Sequence, residues 1–323
     1  MKAIVVEGDR RNPVLRWREV ADVRPGPGEV LLDVRAAGVN RADLLQARGS
    51  YPPPAGASDI LGLEVCGIIR ELGPEVKGWE LGERVCALLP GGGYAERAVC
   101  DAEVLMRVPP QWSDVEAAAF PEAWITAYVN LFEEGALVEG ESVLIHAGAS
   151  GVGLAAIQLA RAAGATVYAT AGSAEKISVV LQAGAHHAIN YREQNFADQI
   201  RKNAGGVDLI LDCVGGAYLA QNISLLKRLG RLVNIGLLGG RRGELELDLV
   251  LSRRLRIIGS TLRSRSRQEH ARLARALLSR FGSLFLTGQL RIIIDSTFPI
   301  AEAQKAHERM AQNLNAGKIV LTL

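Results

Sequence analysis

Residues 147–153, reading Ala-Gly-Ala-Ser-Gly-Val-Gly, stand between an apolar run over 142–146 and a helix-like stretch over 154–164. A strand that ends in a tight glycine turn and enters a helix aims backbone N–H groups and the positive end of the helix dipole at one point, where a pyrophosphate can be held. The candidate contacts are Ala149, Ser150, Gly151, Val152 and Gly153. Ser150 stands where the usual G-x-G-x-x-G has its middle glycine. Its hydroxyl is a candidate to anchor a cofactor or to bond an electron acceptor; the competing reading is a small residue that merely fits the turn. A glycine turn between strand and helix also serves for close packing alone, so the surrounding pattern decides.

That pattern is βα-repetitive. Val- and Ile-rich runs over 166–170, 187–190, 207–212, 231–235 and 256–259 alternate with amphipathic stretches over 174–183, 195–203 and about 217–226. Such units build a doubly wound parallel sheet with its ligand at the switch point. A fold that prefers NAD places Asp or Glu about 20 residues past the glycine turn, to hold the ribose 2′-OH. Here the second strand ends Tyr-Ala-Thr-Ala-Gly-Ser over 168–173, without an acid. Ser173, Lys176 and Tyr191 could instead offer a hydroxyl, a point charge and a phenol to a 2′-phosphate, so the expected cofactor is NADPH. The bland alternatives are a solvated helix lysine and a half-buried core aromatic. Glu175, next to Lys176, is expected to point away from the site.

At 323 residues, with 48% hydrophobic and 22% charged residues, the chain suits two globular domains. It holds no apolar run long enough for a membrane span. A strand-like run over 2–7 with no preceding leader makes the cytoplasm the expected location. Cys66, Cys86, Cys100 and Cys213 show neither C-x-x-C pairing nor a nearby His, which indicates no zinc site and no disulfide framework. Residues 241–282 carry eleven Arg against four acids. Spread over strand, loop and helix without interleaved aromatics, they read as a solvated face with one or two arginines near cofactor phosphates rather than a nucleic-acid surface.

The first 120 residues differ from the middle. Runs over 29–34, 67–72, 84–89 and 94–100 are broken by Pro- and Gly-rich turns, which argues for an antiparallel, barrel-like β domain. From about Glu122 the pattern turns helical. Strand-like runs over 291–298 and 318–322, flanking a helix over 300–313, lack βα partners and are expected to return to the first domain. The division expected is therefore 1–122 with 264–323 as a catalytic domain and 123–263 as an inserted cofactor domain, with the active site in a cleft.

Eight motifs occur in order: EVLL (29–32), GVNRAD (38–43), ILGLEVCG (60–67), GERV (82–85), PGGGYA (90–95), HAGASGVG (146–153), DCVGG (212–216) and GKIVL (317–321). Together they resemble the zinc-free quinone oxidoreductases of the medium-chain dehydrogenase/reductase superfamily, the zeta-crystallin-like group. Residues 51–58, 88–93 and 262–265 look most like its p53-inducible type. The resemblance implies a GroES-like β-barrel catalytic domain joined to a Rossmann cofactor domain. Zinc-dependent relatives carry Cys where this chain has Asn40 and His where it has Leu63, and residues 90–111 hold only Cys100 in place of a four-cysteine lobe. No tetrahedral zinc site is therefore expected.

The resemblance also places Lys176 and Tyr191, with Gly236, Leu262, Arg263 and Lys318, around the cofactor. Tyr51, stiffened by Pro52, Pro53 and Pro54, and Asn40, at the vacated metal-ligand position, become the candidates beside Ser150 to face a quinone. The implied chemistry is hydride transfer from nicotinamide C4 with modest stabilisation of the phenolate that forms. An enone or enoyl-thioester reductase needs the same geometry, and a low-turnover NADPH-binding redox sensor remains the reading from another class. Glu64 is expected to orient neighbours, Asp43 to cap a helix from Leu44, and none of the five histidines to act as general base. The strand over 256–261, at a sheet edge, points to a homodimer, with a tetramer left open.

Overall fold

The computed structural model describes residues 1–323, which divide into two compact units, 1–125 with 263–323 and 126–262. In the first unit, β1 (Lys2–Glu7) and β2 (Val14–Glu19) form an antiparallel pair. The long β3 (Glu29–Val39) leads into α1 (Arg41–Ala47), followed by β4 (Glu64–Leu72), β5 (Arg84–Leu88), β6 (Arg97–Asp101) and β7 (Leu105–Arg107). Two short helices, α2 (Asp114–Ala118) and α3 (Pro121–Tyr128), close this stretch. β3 is buried along most of its length because β4 lies on one side while β6 and a strand from the end of the chain share the other. That double pairing carries it past residue 34, where the local pattern ends it. The strand expected over 94–100 starts only at Arg97, since Tyr94 is fully buried and its backbone bonds Leu61 and Ile4 instead of a ladder.

The second unit runs β8 (Ser142–Ile145), α4 (Gly151–Ala162), β9 (Thr166–Ala171), α5 (Ala174–Gln182), β10 (His187–Asn190), α6 (Phe196–Ala204), β11 (Val207–Asp212), α7 (Leu219–Leu225), β12 (Leu226–Asn234), α8 (Leu247–Arg253) and β13 (Arg256–Gly259). All six strands are parallel, in the order β10-β9-β8-β11-β12-β13. The order reverses between β8 and β11, so the ends of these two strands flank the switch point. α8 is a departure from the pattern reading, which left 247–253 without a helix.

After the second unit, α9 (Arg267–Leu286) starts at a capping box of Ser266 and Glu269 and buries Phe285 against Trp112, Phe120 and Trp124. β14 (Ile294–Pro299), α10 (Ala303–Ala311) and β15 (Lys318–Thr322) follow. β15 pairs antiparallel with β3 in the register Ile319↔Val39, and β14 lies parallel to β15. This register sets Lys318 beside Asn40.

Candidate active site

In the second unit, the glycine turn takes up the end of β8. Ala147 adopts a left-handed backbone at φ 50°, uncommon for a residue with a side chain. A Cβ on Gly148 would lie 2.9 Å from that of Ala169 on β9, and one on Gly153 would collide with the carbonyls of Ala147 and Gly148. The glycines therefore let α4 start hard against the strand ends, with its first N–H groups at the switch point. Ser150 is the N-cap of α4: its Oγ accepts from Gly153 N–H at 3.0 Å, which leaves the hydroxyl hydrogen to donate elsewhere. Across the switch point, buried Asp212 bonds the N–H groups of Val214 and Gly215 and shapes a second turn.

The tip of β9 carries no carboxylate. Tyr191 lies over Gly172, where an added Cβ would come within 2.6 Å of the phenol oxygen. Ser173 caps α5 by accepting from Lys176 N–H at 3.3 Å. Ser173, Lys176 and Tyr191 thus gather at one strand end. The expectation that Glu175 points away needs correction: its carboxylate turns back onto its own backbone N–H and the Ser173 hydroxyl, which lower its pKa, as suits an exposed acid in a helix's first turn. A Cβ on Gly236, just past β12, would lie 3.0 Å from the Cys213 carbonyl oxygen, and Leu262 is buried. A helix N-terminus at the switch point and the two side-chain-free positions fit a dinucleotide; at the end of β9, Lys176 and Tyr191 stand beside a Ser173 hydroxyl already engaged by the Glu175 carboxylate.

In the first unit, a buried carboxylate organises the other candidates. Glu64, fully buried at the start of β4, fits because Gly38 on the neighbouring β3 has no side chain; a Cβ there would collide with the carboxylate. Glu64 Oε1 accepts from Asn40 Nδ2 at 2.9 Å and from Lys318 Nζ at 2.5 Å. Its Oε2 accepts from Glu122 N–H at 2.8 Å, satisfying a donor in the first turn of α3. Lys318 places its other two N–H groups on Asn40 Oδ1 and Val39 O. All three ammonium hydrogens are thus used inside this unit, and Lys318, expected around the cofactor, instead fixes the Asn40 amide. One Asn40 N–H remains uncommitted.

Tyr51 is partly buried, and its phenol makes no hydrogen bond within the chain. Burial raises its pKa, the nearby Glu122 carboxyl adds to this, and Arg263 opposes it. Arg263 sits 5.3 Å from the Tyr51 ring centre and gives four of its five N–H donors to Pro90 O, Gln46 Oε1 and Tyr51 O. It therefore braces the Tyr51 segment, with one N–H donor left over.

A second arm reaches back through α1. Asp43 is not the N-cap of a helix from Leu44; α1 starts at Arg41 with Asn40 as N-cap, and Asp43, three residues on, accepts from Asn40 N–H at 2.8 Å. The same buried carboxyl accepts from Gly62 N–H and from the Tyr94 phenol, which meets His307 Nε2 at 3.3 Å. Burial pushes the Asp43 carboxyl up to about 6 and the His307 imidazole down to about 3. Periodicity could not have found this chain, since its members come from α1, the turn before β6 and α10. Glu122, likewise missed, had one local signal: it follows a proline where a helix begins.

The donor set does not suit zinc. Asn40, Leu63 and Glu64 offer no thiolate or imidazole, and the Lys318 ammonium already provides the local positive charge. No cluster of three or more His, Cys, Asp or Glu side chains could hold a metal ion. Cys66 and Cys86 face each other across β4 and β5, and burial pushes the Cys86 thiol up to about 12 and that of Cys66 higher.

Two families match the chain: the alcohol dehydrogenase GroES-like domain over residues 26–110 and the zinc-binding dehydrogenase family over 151–279. A GroES-like β domain combined with a Rossmann-like parallel sheet defines a two-domain, nucleotide-dependent oxidoreductase. Human quinone oxidoreductase is 33% identical over 96% of this chain and 94% of its own length. A phthioceranic/hydroxyphthioceranic acid synthase of Mycobacterium tuberculosis is 36% identical over 93% of this chain, which spans 14% of that protein. Among solved structures, mycobacterial Rv1454c in complex with NADPH has a TM-score of 0.89 at 28% identity, covering both chains fully. CurK enoyl reductase has a TM-score of 0.85 at 30% identity, covering 99% of this chain and 98% of its own. The chain belongs to the medium-chain dehydrogenase/reductase superfamily, a group of NAD(P)-dependent oxidoreductases that includes the quinone oxidoreductases.

Proposed function

We propose that this protein is an NADPH-dependent, zinc-independent reductase that transfers hydride to quinones. The observation that carries the reading is the Asn40 amide, locked by Glu64 and Lys318 where a metal-dependent relative would bind its ion, with one N–H left for an acceptor oxygen. Bound NADPH supplies the hydride. The chain's own groups then stabilise the oxygen that becomes negative: the free Asn40 N–H and the unpartnered Tyr51 phenol. A quinone needs little more than this, because it accepts hydride readily and yields a phenolate. The NADPH preference is supported by the absence of an acid within β9 itself, by Lys176 in the first turn of the next helix, and by the NADPH complex of the mycobacterial neighbour.

The likeness to CurK enoyl reductase favours one second reading, reduction of an enone or enoyl thioester. Following NADPH oxidation with ortho- and para-quinones, simple enones and enoyl thioesters separates the two. Turnover with quinones is expected; turnover with enones or thioesters alone assigns the second reading, and tight NADPH binding without turnover assigns a sensor. The same reading makes the protein a homodimer. β13 is paired on one side only, and Ile257 on it is 44% exposed, while Leu247 and Leu251 of α8 are 63% and 76% exposed.

A further inference from the structure

The Asn40 amide is held at its tip by Glu64 and Lys318, but the direction of its free N–H also depends on the backbone that carries it. One buried side chain fixes that backbone from behind. The Asp43 carboxylate accepts from Asn40 N–H at 2.8 Å and from the Tyr94 phenol at 3.0 Å on Oδ2, and from Gly62 N–H at 3.2 Å on Oδ1. The Asp43 N–H returns to the Asn40 carbonyl at 3.0 Å, so one residue bonds both the N–H and the C=O of Asn40. Gly62 stands two residues before Glu64, whose Oε1 accepts from the Asn40 amide at 2.9 Å. A single carboxylate thus anchors the chain on both sides of the Asn40–Glu64 hydrogen bond.

We propose that Asp43, backed by Tyr94 and His307, is the positioning residue of the Asn40 site and acts on the acceptor only through the direction of the free Asn40 N–H. The proposal rests on the reductase reading above, in which that N–H meets the acceptor oxygen, and adds what holds the donor still. The backing is rigid by construction. Gly62 lies at φ 102°, and a Cβ on it would come within 2.6 Å of the Tyr94 ring, so the ring rests directly on the glycine. Tyr94 N–H donates to Leu61 O and Tyr94 O accepts from Ile4 N–H, both at 2.8 Å. A carboxylate only accepts, so the phenol gives its proton to Asp43. Its oxygen is left to accept from His307 3.3 Å away, which puts the imidazole proton on Nε2. Tyr94 and His307 are both buried, so bulk water does not replace a partner lost here. A donor aimed at developing charge is most effective when nothing reorganises, and a displacement of about 1 Å costs up to about 100-fold in rate.

The test is a double-mutant cycle on the NADPH-loaded protein at pH about 8, where Asp43 is ionised, read as the single-turnover rate of NADPH oxidation by the quinone or enone that is reduced. Asn40→Ala should lower this rate by about 100-fold, the low end for loss of an oxyanion donor. Asp43→Asn keeps the shape of the side chain and turns one acceptor into a donor; it should cost about tenfold or more. Tyr94→Phe removes only the backing bond and should cost about fivefold. The deciding measurement places Asp43→Asn and Tyr94→Phe in the Asn40→Ala background, where neither should lower the rate further. Losses that persist in that background are those of a merely structural role and overturn the proposal, as do single variants with the wild-type rate. If circular dichroism shows that Asp43→Asn does not fold, the Tyr94→Phe cycle decides by the same criteria. An Asn40→Ala protein with the wild-type rate overturns the reading of Asn40 as the acceptor's hydrogen-bond donor, and the positioning role with it.

Discussion

Under the proposed NADPH reading, Lys176 is the residue on which cofactor choice is expected to turn. Its backbone is fixed by the Ser173 cap at the end of β9, so its ammonium starts from a defined place in the first turn of α5. A charge that meets only the 2′-phosphate discriminates between cofactors that differ in nothing else. Lys176→Ala is therefore expected to weaken NADPH binding by about tenfold or more, the equivalent of ~1.4 kcal/mol, and to leave NADH nearly unchanged. Fluorescence titration with both cofactors checks this; equal losses would mean that the side chain does not reach the phosphate. Lys318 shows the opposite case. Its type and its GKIVL setting suggest a cofactor contact, but its burial and three acceptors make it a clamp on Asn40 and Glu64. Sequence reports that a lysine is present, and only packing reports which acceptors surround it.

At the scale of elements, the turn from β8 into α4 was legible because its signal is local: an apolar run, small residues at the close approach, and a serine where a helix starts. Ser150 caps that helix through Gly153, so Ser150→Ala should cost about 1 kcal/mol, the usual value of an N-cap hydroxyl. Thermal unfolding measures this, and NADPH affinity of the same variant reports whether the hydroxyl also holds the cofactor. The arm from Asp43 through Tyr94 to His307 was not legible, since α1, the turn before β6 and α10 meet only after folding. It carries a pH signature. His307 stays neutral in the fold down to pH about 3, whereas the unfolded chain takes up a proton near the ordinary imidazole value. Its contribution is therefore fully present above that value and is lost as the pH falls. Asp43, raised to about 6, slopes the other way below neutral pH, and its effect cancels when two proteins that both carry it are compared. In His307→Gln the Tm relative to wild type should thus rise steadily from pH 7 to pH 5. A difference independent of pH would show that His307 titrates in the fold as it does unfolded.

For the whole molecule, one open edge decides the expected assembly. β13 leaves a row of backbone groups unpaired next to exposed Ile257, and a second copy offers the same edge by two-fold symmetry. Light scattering should give twice the chain mass, and Ile257→Lys should shift the population toward monomer; an unchanged mass in the variant places the interface elsewhere. By itself the sequence determined the parallel sheet, the β-rich first part, the nucleotide turn and the missing acid at the second strand, because alternation, helical spacing and glycine placement act over a few residues and survive in any context. Tertiary structure decided what Asn40 can do. Asn40 and Lys318 lie 278 positions apart, and they meet because β15 pairs with β3, the strand that runs directly into Asn40. Around the buried Glu64 carboxylate, that pairing leaves one amide hydrogen free. Burial and long-range pairing set this property, which has no local period to read.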